Sequence, residues 1–569
     1  MKNYIKVLAV ILIAGLSACE EFIDLQPRDR ISMNDYWKKS ADLENYVLQF
    51  YPVFYPYTQM VAETAVDSDN MVHGNPSAIL NGERARRTGN WAGEWQKIRN
   101  VNIFFKNYQQ CEDDFESYKH FVGEAHFFRA WFYFDMLKMY GDLPWYSEVL
   151  DLDSDEQLNR PRDPRTLVAD SILMDLDKAI EFLNTRSATG NTRISKEAAL
   201  AFKTRVALFE GTWQKYHANT PFGTQGANPN RYFQQAVDAA EELMSGSYTV
   251  GIYNEGNPDE DYYNLFGFDN MSNIDEVILY RAFNAADGAR TSTQGYITYN
   301  ANQKGVTWDL VSSYLGRDGR PYNYLGVAQN VKGNDFLTKI AEDCDPRLKS
   351  TIWIPGDLMA AVVNLYFTKP TINEGSLQLC PTGFQVKKTA NPLSKAAGQS
   401  WEVPSETGLI ILRYGEVLLN YAEAKFELEG VVAYEQLNLL RQRAGMPEFT
   451  VHPSSTLYER EDYGYDVPDA LYEIRRERRV ELALEGQRKD DYRRWAAHEL
   501  FAGERPKGYP FNPAEFPGFS PAVDENGLID YYANSLPNGY KFRENVDYLY
   551  SIPQDEIILN PNLTQNPGW

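Results

Sequence analysis

Histidine and cysteine are scarce in this chain, with six and four among 569 residues. His120 and His126 stand six apart, the wrong interval for two metal ligands on one helical face. Neither a Gly-x-Ser-x-Gly elbow nor a phosphate-cradling P-loop occurs. Cys111, Cys344 and Cys380 are widely spaced, which argues against a zinc site and a disulfide framework. A single Cys344–Cys380 bridge stays open. Asp151, Asp153 and Asp155 begin like a calcium loop, but Glu156 replaces the glycine and Arg162 the closing glutamate. No metal, cofactor or catalytic group is therefore expected, although 79 acidic residues leave a paired-carboxylate glycosidase open by count alone. Positive charge is also short: 56 basic residues give a net charge of −23. Such a surface repels phosphate backbones and anionic lipid, which excludes nucleic acid as the expected partner. Beyond Leu16 no apolar run is long enough to cross a bilayer.

What is present is enough apolar and aromatic surface to fold, 43% and 14% of residues. The chain is too long for one simple core. Lys2 and Lys6 precede an apolar run, Val7 to Leu16, as in a secretory signal. Leu16-Ser17-Ala18-Cys19 resembles the bacterial lipobox, in which the cysteine is acylated and becomes the first mature residue. Residues 1–18 are read as a lipoprotein signal, and 19–32 as a lipidated tether.

Helical patterns then come in pairs. Trp91 to Tyr108 is one segment, and Phe121 to Tyr140 is apolar nearly all round, as a buried helix would be. Pro164 to Leu183 follows, then Ser195 to Trp213 with Tyr232 to Met244, and later Arg413 to Leu428 with Tyr434 to Arg443. Alanines at close-packing positions (Ala422, Ala424, Ala236, Ala239) give the pairs the look of degenerate tetratricopeptide repeats. From Ser245 to Glu406 glycine, asparagine and tyrosine rise and short strand-like runs occur at Glu276 to Tyr280 and Thr351 to Ile354. The fold class expected is mainly α, a helical-pair scaffold with a loop-rich, small-sheet subdomain on one side. Regions 33–244, 245–406 and 407–569 are its N-terminal helical part, its variable subdomain and its C-terminal completion.

The stretch Leu471 to Trp495 puts Arg478, Glu481, Glu485 and Arg488 on one helical face. Two readings compete: a solvated, salt-bridged surface helix, or a partly buried Arg–Glu network that fixes how the helix docks. Gly486 is a candidate break in that helix.

The motifs together resemble the SusD/RagB family, the outer-membrane lipoproteins of Bacteroidetes nutrient uptake. They are CEEFID from Cys19, Arg99 and Asn102 in WQKIRNVNIF, and GEAHFFRAWFYFDMLKMYGDLP from Gly123. Further along come DGRP ending at Pro321, DCDPRL from Asp343, ILRYGEVLLNYAEA from Ile411, LRQRAG from Leu440 and ERRVELALEGQRKDDYRRW from Glu477. Lys349 to Ser405 carries no match. The resemblance implies a surface lipoprotein anchored through Cys19 that captures an oligosaccharide, or in some members a peptide. It hands that ligand to a SusC-like, TonB-dependent outer-membrane transporter.

Binding sugar without chemistry needs flat aromatic faces and planar polar side chains. Trp91 and Trp95, one helical turn apart, follow a loop holding Asp67, Asp69 and Arg84, a neighbourhood that the resemblance associates with the ligand face. Tyr296, Tyr299 and Trp308 lie in or after a Gly/Asn/Thr-rich loop and complete the candidate set, with Trp353 and Trp401 in the unmatched insert. Against this stands the plainer reading of Trp91 and Trp95 as core tryptophans.

Overall fold

The computed structural model describes residues 36–54, 66–151, 153–298, 301–375, 377–400 and 402–569. The signal, Cys19 and the tether lie outside these residues, as do Tyr299 and Trp401. Helices of seven residues or more are numbered α1 to α11. They are α1 (Ser40–Leu48), α2 (Ala92–Asn107), α3 (Phe115–Tyr140), α4 (Arg165–Phe182), α5 (Lys196–Tyr216), α6 (Asn230–Met244), α7 (Gly333–Asp343), α8 (Tyr414–Glu429), α9 (Tyr434–Arg443), α10 (Asp469–Glu481) and α11 (Arg488–Arg494).

Each long helix packs on the next: α2 on α3, α3 on α4, α4 on α5, α5 on α6, α6 on α8 and α8 on α9. The expected helical-pair scaffold is what the structure shows. The α3 helix is started by the Asp114 carboxylate, which accepts from the Glu116 amide, and stopped at Gly141, where φ is 71°. Its middle is buried all round, as its composition requires. In α6, by contrast, Tyr232, Phe233, Ala236, Val237, Ala239, Ala240 and Leu243 form one buried stripe. That stripe meets α5 at Gly211, where an added Cβ would lie 2.7 Å from the Phe233 ring; only glycine allows this approach. The core so formed runs from Trp37 to Leu563.

The loop-rich middle builds a second core around Trp308, Trp353 and Phe384, to which Met71 and residues of the C-terminal region also contribute. Its sheets are small antiparallel pairs: Met71–His73 with Lys304–Val306, Val277–Arg281 with Leu409–Arg413, and Leu358–Ala360 with Leu365–Tyr366. Thr351 to Ile354 is not a strand. Arg347–Thr351 is helical, and Ile352 makes a lone bridge to Val386. Cys344 and Cys380 are buried free thiols, so the open bridge is not formed.

Leu471 to Trp495 is not one helix. It breaks between α10 and α11, where Leu484 and Gly486 take φ of 63° and 82°. Carbonyls released by the break find side-chain donors. Tyr262 Oη and Arg413 Nη2 donate to the Glu481 carbonyl at 2.6 and 2.9 Å, and Lys388 Nζ to that of Ala483 at 2.8 Å.

Most charges of the two helices are buried. Glu481 receives Arg347, Arg413 and Arg443; Glu477 receives Arg347 and Arg441; Glu276 receives Arg413 and Arg443. Glu485 takes Arg413 and Lys388. Further along, Arg478 bridges Asp491 at 2.9 Å and the Asn420 amide oxygen at 2.7 Å, and Arg494 grips Glu423 at 2.6 Å. Burial alone would raise the Glu423 carboxyl, but Arg494, Arg478 and Arg475 outweigh it and bring it down to about 2. Of the two readings of this stretch, the buried network is the one formed.

Candidate functional site

An open cleft of about 520 Å³ lies at the start of α2. The helix begins just after Trp91, whose ring is buried in the cleft wall at 3% exposure. Trp91 packs edge-on against Trp95 at 5.5 Å and Tyr140 at 5.2 Å, which fixes its plane. Trp95, one turn on, is half-buried and meets Tyr146 at 5.4 Å and 66°. Tyr146 lies just past the Gly141 stop of α3. Its amide donates to the Tyr133 hydroxyl at 2.7 Å, and Asn102 Nδ2 donates to its carbonyl at 3.0 Å. The two accessible rings are thus held from behind by buried groups.

The same backing reaches deeper. Arg129 forms a paired contact with Asp175 at 2.7 Å and donates to the Asn102 amide oxygen at 3.2 Å. That chain of contacts ties α2, α3 and α4 together under the cleft floor. At the rim, exposed Gln96, Arg99, Glu148 and Asp151 supply polar groups, and Leu158 is 43% exposed. The far wall is C-terminal: Glu556, in the short helix Gln554–Leu559, accepts the Trp91 amide at 3.1 Å. Asn560 caps the carbonyls of Leu158 and Arg160.

Of the sequence candidates, Trp91 and Trp95 share this cleft, with Trp91 as wall and Trp95 as accessible face. The others are held elsewhere. Asp69 is 5% exposed and paired with Arg488 at 2.6 Å and Arg479 at 3.0 Å. Burial would raise its carboxyl, yet the two guanidiniums bring it down to about 2. Asp67 takes the Ser77 hydroxyl at 2.7 Å and Lys489 at 3.0 Å. Arg84 donates to the carbonyls of Asp547 and Leu549 and lies over the Tyr550 ring. All three make internal contacts that fasten the 66–90 segment to the C-terminal region. The side chains of Asp69 and Arg84 are buried in them, which corrects these two from ligand contacts to fastenings, while Asp67 stays half-buried at the edge of a neighbouring groove. Trp308 is likewise corrected: 3% exposed, stacked on Phe336 at 5.8 Å, its indole N–H donated to Glu459 at 2.9 Å. Tyr296 packs half-buried on the second core, and Trp353 is fully buried. Sequence reasoning missed Tyr146, Glu148, Asp151 and Glu556 as cleft residues. Tyr146 carried a signal, since it directly follows a helix stop; Glu556 carried none, because its neighbour Trp91 is hundreds of residues away.

Among the described residues no cluster of His, Cys, Asp and Glu could hold a metal ion. The arrangement offers stacking and hydrogen bonding.

Fold and cleft together define a helical-repeat scaffold carrying an open aromatic recess. Comparison with known proteins places it: the model of the SusD family matches residues 275–569, and the model described as "Starch-binding associating with outer membrane" matches residues 26–208. The chain belongs to the SusD family. It is 24% identical to SusD-like protein P2 of Formosa agariphila, over the full length of both chains. Among solved structures, a SusD-like protein of Bacteroides fragilis superposes with a TM-score of 0.71 at 23% identity, covering 96% of this chain and all of that one. A SusD-like carbohydrate binding protein of the same species gives 0.71 at 22%, covering 93% and 100%.

Proposed function

We propose that this protein is a surface-exposed outer-membrane lipoprotein, anchored through Cys19, that binds an oligosaccharide. It then passes the ligand to a SusC-like, TonB-dependent transporter without chemical change. The single observation that carries the binding step is the pair of rings, Trp95 and Tyr146, presented to a 520 Å³ cleft and braced from behind. Pyranose rings stack their C–H faces on such surfaces, while exposed Gln96, Arg99, Glu148 and Asp151 are placed to pair with hydroxyls. Family membership, the outer-membrane description of the second matching model and the carbohydrate-binding relative support this reading.

The test is a glycan array on the soluble form starting after Cys19, repeated with Trp95→Ala. Binding to at least one glycan, weakened ten- to a hundredfold in the variant without loss of melting temperature, is the expected result; this corresponds to about 1.4–2.8 kcal/mol. Unchanged affinity in the variant would place the ligand elsewhere. Conversion of a glycan to shorter products, abolished by Glu148→Gln, would replace the reading with a lipid-anchored glycoside hydrolase. Co-purification with an outer-membrane barrel tests the delivery step.

A further inference from the structure

We infer that the Trp95 cleft selects glycans free of anionic substituents, neutral or amine-bearing, and rejects uronates and sulfated sugars. This rests on the cleft being the glycan site. Its charge is lopsided. Glu148 and Asp151 are exposed and form no ion pair among the described residues. Glu556 spends one carboxylate oxygen on the Trp91 amide and has no cation partner there. Among the described residues Arg99 is the one cation lining the cleft, and its Nη1 is already committed to the Leu150 carbonyl at 2.7 Å. Arg160, whose guanidinium lies 6.0 Å from the centre of the Tyr146 ring, is held by Asp163 at 2.7 Å.

A sugar stacked on Trp95 and Tyr146 therefore meets three carboxylates against one half-engaged guanidinium. Hydroxyl groups donate to carboxylates in charge-assisted hydrogen bonds, and an ammonium gains more. A carboxylate or sulfate on the same ring meets like charge at contact distance, in a protein whose net charge of −23 adds to the repulsion. The neighbouring groove on the other side of α2 differs: exposed Lys97, 5.7 Å from the centre of the Phe132 ring, lines it without an ion pair among the described residues. Its other cations are engaged, Lys138 with Asp490 and Lys489 with Asp67, both at 3.0 Å, and Arg493 with the carbonyls of Tyr548 and Lys138, so an anion that binds this protein is expected at Lys97 and not in the Trp95 cleft.

Titration calorimetry on the full soluble chain decides the matter, with a panel of neutral hexasaccharides of α- and β-glucan, xylan, mannan and chitin backbones, together with oligogalacturonate, hyaluronan and chondroitin sulfate oligomers. The neutral backbone that binds is then compared with its own C6-oxidised uronate form. The expected result is a uronate about tenfold weaker at low salt. That gap should narrow in high salt and in the Glu148→Gln/Asp151→Asn double variant. An anionic glycan that binds tightest and loses binding in Trp95→Ala would overturn the inference while leaving the cleft as the site. A gap indifferent to salt and to the double variant would also overturn it, since the loss would then lie in the missing hydroxyl. If no glycan binds, or Trp95→Ala changes nothing, the site itself is wrong and the inference falls with it.

Discussion

Two regions of this molecule concentrate charge and aromatic rings, and they end in opposite states. Around α10 and α11 the guanidiniums and carboxylates are buried and matched partner for partner, with Trp495 itself fully buried and donating its N–H to Glu423 at 2.7 Å. At the start of α2, Trp95 and Tyr146 remain accessible, and Glu148 and Asp151 form no ion pair among the described residues. A buried charge must find its partner inside the protein or cost several kcal/mol. An exposed one is solvated and free to meet a ligand. The difference separates residues that hold the scaffold from residues able to bind.

The motifs that carry the family resemblance fall mostly on the closed side. Arg347 comes from DCDPRL, Arg413 from ILRYGEVLLNYAEA, Arg441 and Arg443 from LRQRAG, and Glu477 and Glu481 from ERRVELALEGQRKDDYRRW. All six meet in one buried network. Arg129 and Asn102, from two earlier motifs, meet under the cleft. These signatures name an architecture and not a ligand.

The largest effect is therefore expected in the network. Glu481→Ala leaves Arg347, Arg413 and Arg443 short of a partner and should cost about 3–5 kcal/mol or prevent folding. Arg478→Ala, which leaves Asp491 to Arg494 alone and the Asn420 amide oxygen without its donor, should cost about 2–3 kcal/mol. Urea unfolding measures both, and glycan affinity of folded Arg478→Ala should stay within about twofold of wild type, corresponding to about 0.4 kcal/mol. The reverse pattern, affinity lost and stability kept, would return a binding role to this helix. Trp95→Ala is the mirror experiment.

Acid should dismantle the closed region in two stages. His217 is fully buried between α5 and α11, its Nε2 donating to the Arg493 carbonyl at 2.7 Å, and burial pushes it down to about 3. Because its folded value lies below the unfolded one, its contribution is whole above about pH 6.5 and drains as pH falls toward 3, with a slope of about 1.4 kcal/mol per unit. Asp69 and Glu423, both brought to about 2, follow the same sign over a lower window, from about pH 4.5 downward. Urea midpoints measured against pH should decline through both windows. His217→Gln, which keeps a donor for the carbonyl, should flatten the upper one. A decline confined below pH 4 would show that His217 titrates normally.

How much of this was legible before the structure varies with the physics. The helical pairs are written in local periodicity, so α2, α4, α6, α8 and α9 fall within a few residues of their expected bounds. The break in Leu471 to Trp495 was signalled by Gly486, yet what stabilises it, donors from Tyr262, Lys388 and Arg413, comes from remote segments that no local pattern reports. Trp308 illustrates the same limit in reverse: a tryptophan after a glycine-rich loop reads as exposed until Phe336 and Glu459 close over it. Trp95 was legible as a candidate, but its partner Tyr146 became a cleft residue only through the packing of α2 on α3.

The smallest expected effect sharpens the comparison most cheaply. Lys178 and Glu181 in α4 form an ion pair at 2.7 Å, as short as many in the buried network, but each side chain is 55% exposed. Water already satisfies both groups, salt screens their attraction, and holding two long side chains together costs entropy, so the pair should be worth under about 0.5 kcal/mol. Lys178→Ala should shift the urea midpoint barely beyond error, while Arg478→Ala, removing a contact of similar length, shifts it by several times as much. Equal shifts would mean that distance, and not burial, sets the strength of these contacts, and the contrast between the closed network and the open cleft would lose its physical basis.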